Sequence, residues 1–256
     1  MEATGDGRGY WLVATDGGVF SFGNAPFFGS TGALRLTQPI VDFATTPNGS
    51  GYWLCGADGG VFTFGNAVFA GSAVGLQPNG HYVGIAATPS GRGYWLATSN
   101  GAVLAFGDAR FFGSTAGFGV GAEIVDIAAT RSGRGYFLVT SNGGVLGFGD
   151  ARYRGSAIGL SLRSPILTIA PTSTGLGYFL IARDGGVFTY GDARFRGSTG
   201  NLALRAPIVG VAVTITGKGY NLIASDGGVF TYGDARFFGS AAPFGLRAPI
   251  VAIAAL

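Results

Sequence analysis

The chain has 256 residues, 47% of them hydrophobic, with 49 glycines and 21 phenylalanines against 13 acidic side chains and one Met; this balance excludes helices with charged outer faces and predicts short strands joined by tight turns. The formal charge is +3, with Arg supplying 15 of the 16 basic residues and none of them run together, so the dense basic stripe of a nucleic-acid-binding protein is missing. Cys55 is alone, which excludes an intramolecular disulfide; no apolar run approaches the roughly 18 residues of a membrane span, and Met1-Glu2-Ala3 begins no signal peptide.

From the N-terminus, Gly9-Tyr10 is the first of six Gly-Tyr pairs, followed by Gly51-Tyr52, Gly93-Tyr94, Gly135-Tyr136, Gly177-Tyr178 and Gly219-Tyr220, always 42 residues apart. That period lies in the range of four-stranded propeller blades, and six periods take up 252 of the 256 residues. The predicted fold is all-β, a single six-bladed β-propeller over residues 1–256. Blade 1 is 9–30 plus 249–256, blade 2 is 39–72, blade 3 is 81–114, blade 4 is 123–156, blade 5 is 165–198 and blade 6 is 207–240.

Within one unit, Glu123 to Thr130 reads as a first strand, apolar and small, as suits the crowded position nearest the axis. The turn Ser132-Gly133-Arg134-Gly135 leads to a second strand, Tyr136 to Thr140. Asn142-Gly143 follows, with counterparts Asp16-Gly17, Asp58-Gly59, Asp184-Gly185 and Asp226-Gly227, and predicts a two-residue hairpin with a positive-φ pair. A third strand around Val145 to Phe148 ends at Gly149-Asp150-Ala151. Arg152 to Ser156 reads as a short outer strand, its arginines protecting the edge.

The chain starts just before a second strand and ends on Pro249 to Leu256, which matches the first strand Pro39 to Thr46. Each terminus is the complement of the other. An open solenoid would need polar caps at both ends, so the prediction is a ring in which residues 249–256 complete blade 1.

Gly51-Tyr52-Trp53, Asp58-Gly59-Gly60-Val61-Phe62 and Phe106-Gly107-Asp108-Ala109 resemble the repeats of secreted actinobacterial proteins, and the likeness covers the whole chain. The resemblance implies an extracellular propeller module of the sort found beside cell-wall or hydrolytic domains, with no settled activity of its own.

Side chains for chemistry are few. His81 and Cys55 are single, and Glu occurs only at Glu2 and Glu123, so the usual zinc sets and nucleophile triads have too few parts; no catalytic, metal or cofactor site is expected. The aspartates of the two turns, Asp16 and Asp108 among them, read as turn chemistry, and the Tyr-Trp pairs as core packing. Asn221 is a polar residue where the earlier copies carry Trp or Phe, and so marks a water site or a ligand contact.

Departures from the repeat point to a candidate site. First strands open with Pro at Pro39, Pro165, Pro207 and Pro249, but with His81 in blade 3 and Glu123 in blade 4. By alignment Gln77, Asn79, Tyr82 and Asp126 lie around them at the channel mouth, with Arg163, Arg205 and Arg247 entering from other blades. The competing reading is a Pro position merely relaxed in two copies. The expected function is a non-catalytic, secreted or cell-surface module, a monomer, recognising carbohydrate or cell-envelope polymer through the connections at 30–38, 72–80, 114–122, 156–164, 198–206 and 240–248, which vary most between copies. A structural or protein-interaction scaffold, designed or consensus-derived, is the alternative, and an enzyme using His81 with Glu123 or Asp126 is the least supported.

Overall fold

The computed structural model describes residues 7–76 and 79–255; Gln77, assigned above to the candidate site, and Leu256, the last residue of the closing strand, lie outside them. Six antiparallel sheets of three strands follow one another along the chain. The second strands are β1 (Gly9–Ala14), β4 (Gly51–Gly56), β7 (Gly93–Thr98), β10 (Gly135–Thr140), β13 (Tyr178–Ala182) and β16 (Gly219–Ala224). The third strands are β2 (Val19–Gly23), β5 (Val61–Gly65), β8 (Val103–Gly107), β11 (Val145–Gly149), β14 (Val187–Tyr190) and β17 (Val229–Gly233). The first strands are β3 (Ile40–Thr45), β6 (Tyr82–Ala87), β9 (Ile124–Ala129), β12 (Ile166–Pro171), β15 (Ile208–Val213) and β18 (Ile250–Ala255). One turn of 3-10 helix, Ala242–Phe244, is the sole helical segment among the described residues.

The N- and C-terminal strands share a sheet of order β18-β1-β2, with Leu12 opposite Ile253. Each first strand also neighbours the first strand of the next sheet, and β18 touches β3, so the six form a closed cycle. This is the arrangement of a closed six-bladed propeller. Every described residue of the second strands is buried, which follows from their being covered on both faces by adjacent blades.

Two expectations need correction. The hairpin after the second strand is longer than a two-residue turn. In blade 1 the Gly17 amide donates to Ala14 O at 2.8 Å and the Ala14 amide to Gly18 O at 2.9 Å, and Gly17 alone takes positive φ, at 76°. Asp16 contributes an acceptor instead, its Oδ1 taking the Gly18 amide at 2.9 Å. A carboxylate capping the turn explains why Asp and Asn recur there as well as positive φ would.

The second correction concerns the outer strand, read at Arg152 to Ser156, which is not a strand in any blade: the blades are three-stranded. After Gly149 the chain turns sharply, Asp150 N donating to Arg134 O at 3.0 Å, and leaves the ladder. Its backbone is then taken up by the next blade. The Tyr178 hydroxyl accepts from Arg154 N at 3.0 Å and donates to Gly155 O at 2.5 Å. Tyr10, Tyr52, Tyr94, Tyr136 and Tyr220 make the same pair of bonds to the segment of the blade before them. A buried hydroxyl that gives and receives satisfies two backbone groups that an outer ladder would otherwise have paired.

Candidate functional site

Each first strand carries a β-bulge at its second residue, since the register with the second strand skips Val41, Val83, Val125, Leu167, Val209 and Val251. A bulge turns consecutive side chains toward one side. The bulge residue therefore lines the central cavity in all six strands, and the one after it in every strand but that of Gly84; the cavity, of about 150 Å³, runs on to the Pro47, Pro89 and Arg131 turns. The bulge layer is a ring of six aliphatic side chains. The layer after it is Asp42, Gly84, Asp126, Thr168, Gly210 and Ala252.

Asp42 and Asp126 flank Gly84 in that layer. A Cβ on Gly84 would lie 3.1 Å from Ile127 Cγ2, 3.2 Å from Asp126 Oδ1 and 3.4 Å from Asp42 Oδ2, so the lack of a side chain lets the two carboxylates close in on Gly84 from either side. Asp42 Oδ2 accepts the Ile85 amide at 2.9 Å. Asp126 Oδ2 accepts Thr168 Oγ1 at 2.5 Å and the Ile169 amide at 3.0 Å, and its Oδ1 accepts the Ile127 amide at 2.7 Å.

Burial raises both carboxyls. Asp126 is pushed up to about 6, held there against the lowering effect of Thr168 and the two amides. Asp42 has fewer donors and is raised well above the usual range, by burial first and by the charge of Asp126 second. A charge on Asp126 therefore adds to burial in opposing the ionisation of Asp42. Cys55, opposite Asp42 in the ladder, is buried, and burial pushes its thiol up too.

Of the residues assigned to the site from sequence, Asp126 alone lines this cavity. His81 and Glu123 are exposed and precede the aliphatic layer. Their backbones are equivalent: His81 O accepts Ser99 N and Glu123 O accepts Ser141 N, both at 2.9 Å, as Pro39 O accepts Ala57 N at 2.9 Å. No hydrogen bond or ion pair joins their side chains.

Tyr82 is buried in the core between blades 2 and 3, its ring against Gly59 and its hydroxyl without a hydrogen-bond partner. Asn79, Arg205 and Arg247 are exposed on the connections, and Arg163 Nη1 donates to Asn201 Oδ1 at 3.4 Å. Arg163 also lines a shallow groove with Ser141, Asn142, Ile158 and Leu160. The eight side chains thus fall into an exposed connection face, one channel carboxylate and one core tyrosine.

Asp42 is the residue that sequence reasoning missed. The signal was present: Val41-Asp42-Phe43 occupies the same repeat positions as Val125-Asp126-Ile127, two blades away. Among the described residues, no group of three or more His, Cys, Asp or Glu side chains is placed to hold a metal ion. No described helix is long and apolar enough to cross a membrane. Compared with models of known protein families and with curated proteins, the chain matches none.

Proposed function

We propose that the ring is a non-catalytic binding module, secreted or displayed at the cell surface, in the manner of the secreted actinobacterial repeats it resembles, and that it recognises carbohydrate or cell-envelope polymer. What carries the reading is the contrast between constant and varying parts. The turns and strands are committed to packing and hydrogen bonds, whereas each connection exposes an apolar side chain, Leu34, Leu76, Phe118 at 73% exposure, Leu160, Leu202 or Phe244, between neighbours that change from copy to copy. Apolar side chains beside hydroxyls, an amide and a guanidinium, as in the groove of Arg163, Ser141 and Asn142, are the mixture that sugar binding uses. His81 and Glu123 add a donor and an acceptor on the same face. The module acts as a monomer on a glycan or cell-wall polymer, without cofactor or nucleic acid.

A glycan array combined with a cell-wall pull-down tests the reading. Binding that weakens in an Arg163→Ala, His81→Ala, Glu123→Ala variant is expected. Silence in both assays overturns the reading in favour of a structural or protein-interaction scaffold, which the near-identity of Asp184 to Phe188 and Asp226 to Phe230 supports.

A further inference from the structure

Six aromatic side chains stand in solvent at one position of the repeat. Phe27, Phe69, Phe111, Tyr153, Phe195 and Phe237 are each 57–60% exposed. None of them stacks on another ring. Their neighbours change from copy to copy: the residue before is Pro26, Val68 or an Arg, and the residue after is Phe28, Ala70, Phe112, Arg154, Arg196 or Phe238. An aromatic kept in six exposed copies between changing neighbours is not what packing asks for.

The backbone beneath these rings is fixed. The amide of the following residue donates to the tyrosine of the next blade, as Phe28 N does to Tyr52 at 3.2 Å and Arg196 N to Tyr220 at 3.0 Å. Rings presented on a pinned backbone lose little freedom when a ligand stacks on them. Arg110, Arg152, Arg194 and Arg236 precede the aromatic in blades 3 to 6, and Arg154 and Arg196 follow it in blades 4 and 5; all six are exposed, and among the described residues their guanidinium groups make no ion pair or hydrogen bond. The nearby Asp150 and Asp192 are occupied, accepting from Thr130 and Ser132 and from Thr172 and Thr174.

We propose that this circumference is a belt for an anionic polysaccharide, whose sugar rings stack on the aromatics while its carboxylates or phosphates engage the arginines of blades 3 to 6. Aromatic faces take the apolar faces of sugars, and the guanidinium fork matches both anions. One aromatic per blade offers no contiguous patch of the size a protein interface needs. A chain-like ligand reaches several such weak sites at once and gains avidity from them. The inference rests on the reading that the ring binds glycan, and adds the circumference to the connection face as a place of contact.

The test measures binding of the full chain to polygalacturonate, to poly(glycerol phosphate) teichoic acid and to neutral dextran, with phosphatidylglycerol vesicles as a further arm. The variants are Tyr153→Ala with Phe195→Ala, and Arg152→Gln with Arg194→Gln, each checked by circular dichroism. The positions are exposed, so both variants fold.

At least one anionic polymer binds, weakening about tenfold in either double variant and steeply with salt, while short oligomers bind far less well. Which polymer binds separates carboxylate from phosphate recognition. Binding lost in the connection-face variant and untouched in both belt variants overturns the belt and leaves the glycan reading standing. Equal binding of dextran, or vesicles bound as tightly as polymer, overturns it too. No binding to any glycan removes both readings.

Discussion

The Tyr10 hydroxyl donates to the Gly239 carbonyl at 2.5 Å and accepts the Phe238 amide at 3.2 Å, so one side chain joins residues 229 positions apart across the seam of the ring. The same joint, formed at all six junctions, is where the outer segment of a blade leaves its own sheet for the next.

Tyr10→Phe leaves a backbone amide and a carbonyl without their partner, which costs about 1–3 kcal/mol. Tyr136→Phe, at the junction of blades 3 and 4, costs a similar amount because its two bonds are the same. Urea unfolding of both variants checks this. A Tyr10→Phe change without effect means that the seam is held by strand pairing alone.

The seam also lacks an aromatic. Trp11, Trp53, Trp95, Phe137 and Phe179 each pack against the tyrosine of the following blade, with ring centroids 5.3–5.9 Å apart. The sixth position holds Asn221, buried, with its Oδ1 unpaired. Asn221→Phe removes a desolvated acceptor and restores the pair with Tyr10, and raises stability by about 1–2 kcal/mol, read as a higher thermal midpoint. A lowered midpoint means that the amide has a partner in solution.

Two glycines separate packing from backbone strain. Gly155 has φ of 134° and a Cβ there would sit 2.5 Å from the Tyr190 ring, whereas Gly159 has φ of 86° and open space around it. Gly159→Ala costs about 1 kcal/mol of strain, and Gly155→Ala costs about 2 kcal/mol more because the next blade must move. Equal losses in chemical denaturation contradict the tight joint.

The repeat period, the three ladder strands and the closing of the chain were legible in the sequence because each is set by local pattern: Gly-Tyr spacing, alternating apolar runs, and Pro249 to Leu256 matching Pro39 to Thr46. The outer segment was not. Arg152 to Ser156 has the composition of an edge strand, and only the position of Tyr178 in the next blade shows where its hydrogen bonds go. Asp126 was read as a rim residue because the bulge at Val125, which turns both side chains to the channel, leaves no mark in the local sequence. Asp42 needed the copies to be compared with each other instead of with the consensus.

The channel carboxylates make stability depend on pH in a definite sense. In the unfolded chain both aspartates titrate near 4, whereas in the fold burial pushes Asp126 up to about 6 and raises Asp42 well above the usual carboxylate range. Between these limits the folded state binds more protons than the unfolded one. Stability therefore falls as pH rises from about 4 through about 6 and continues to fall as Asp42 ionises. Asp42→Asn keeps an acceptor for the Ile85 amide, removes the second charge and stabilises the protein by about 1–3 kcal/mol at pH 8 while changing little at pH 4. Thermal midpoints at the two pH values check this; an equal shift at both points to packing instead.

The closed ring is tested most directly by deleting residues 249–256 and adding them back as a peptide. The deletion removes β18, bares the edge of β1 and takes Ile250 and Ile253 from the core beside Tyr10 and Leu12. The truncated chain is expected to lose its cooperative unfolding transition and to regain it when the peptide is supplied in trans. A truncated chain that unfolds at the full-length midpoint, indifferent to the peptide, contradicts the closure.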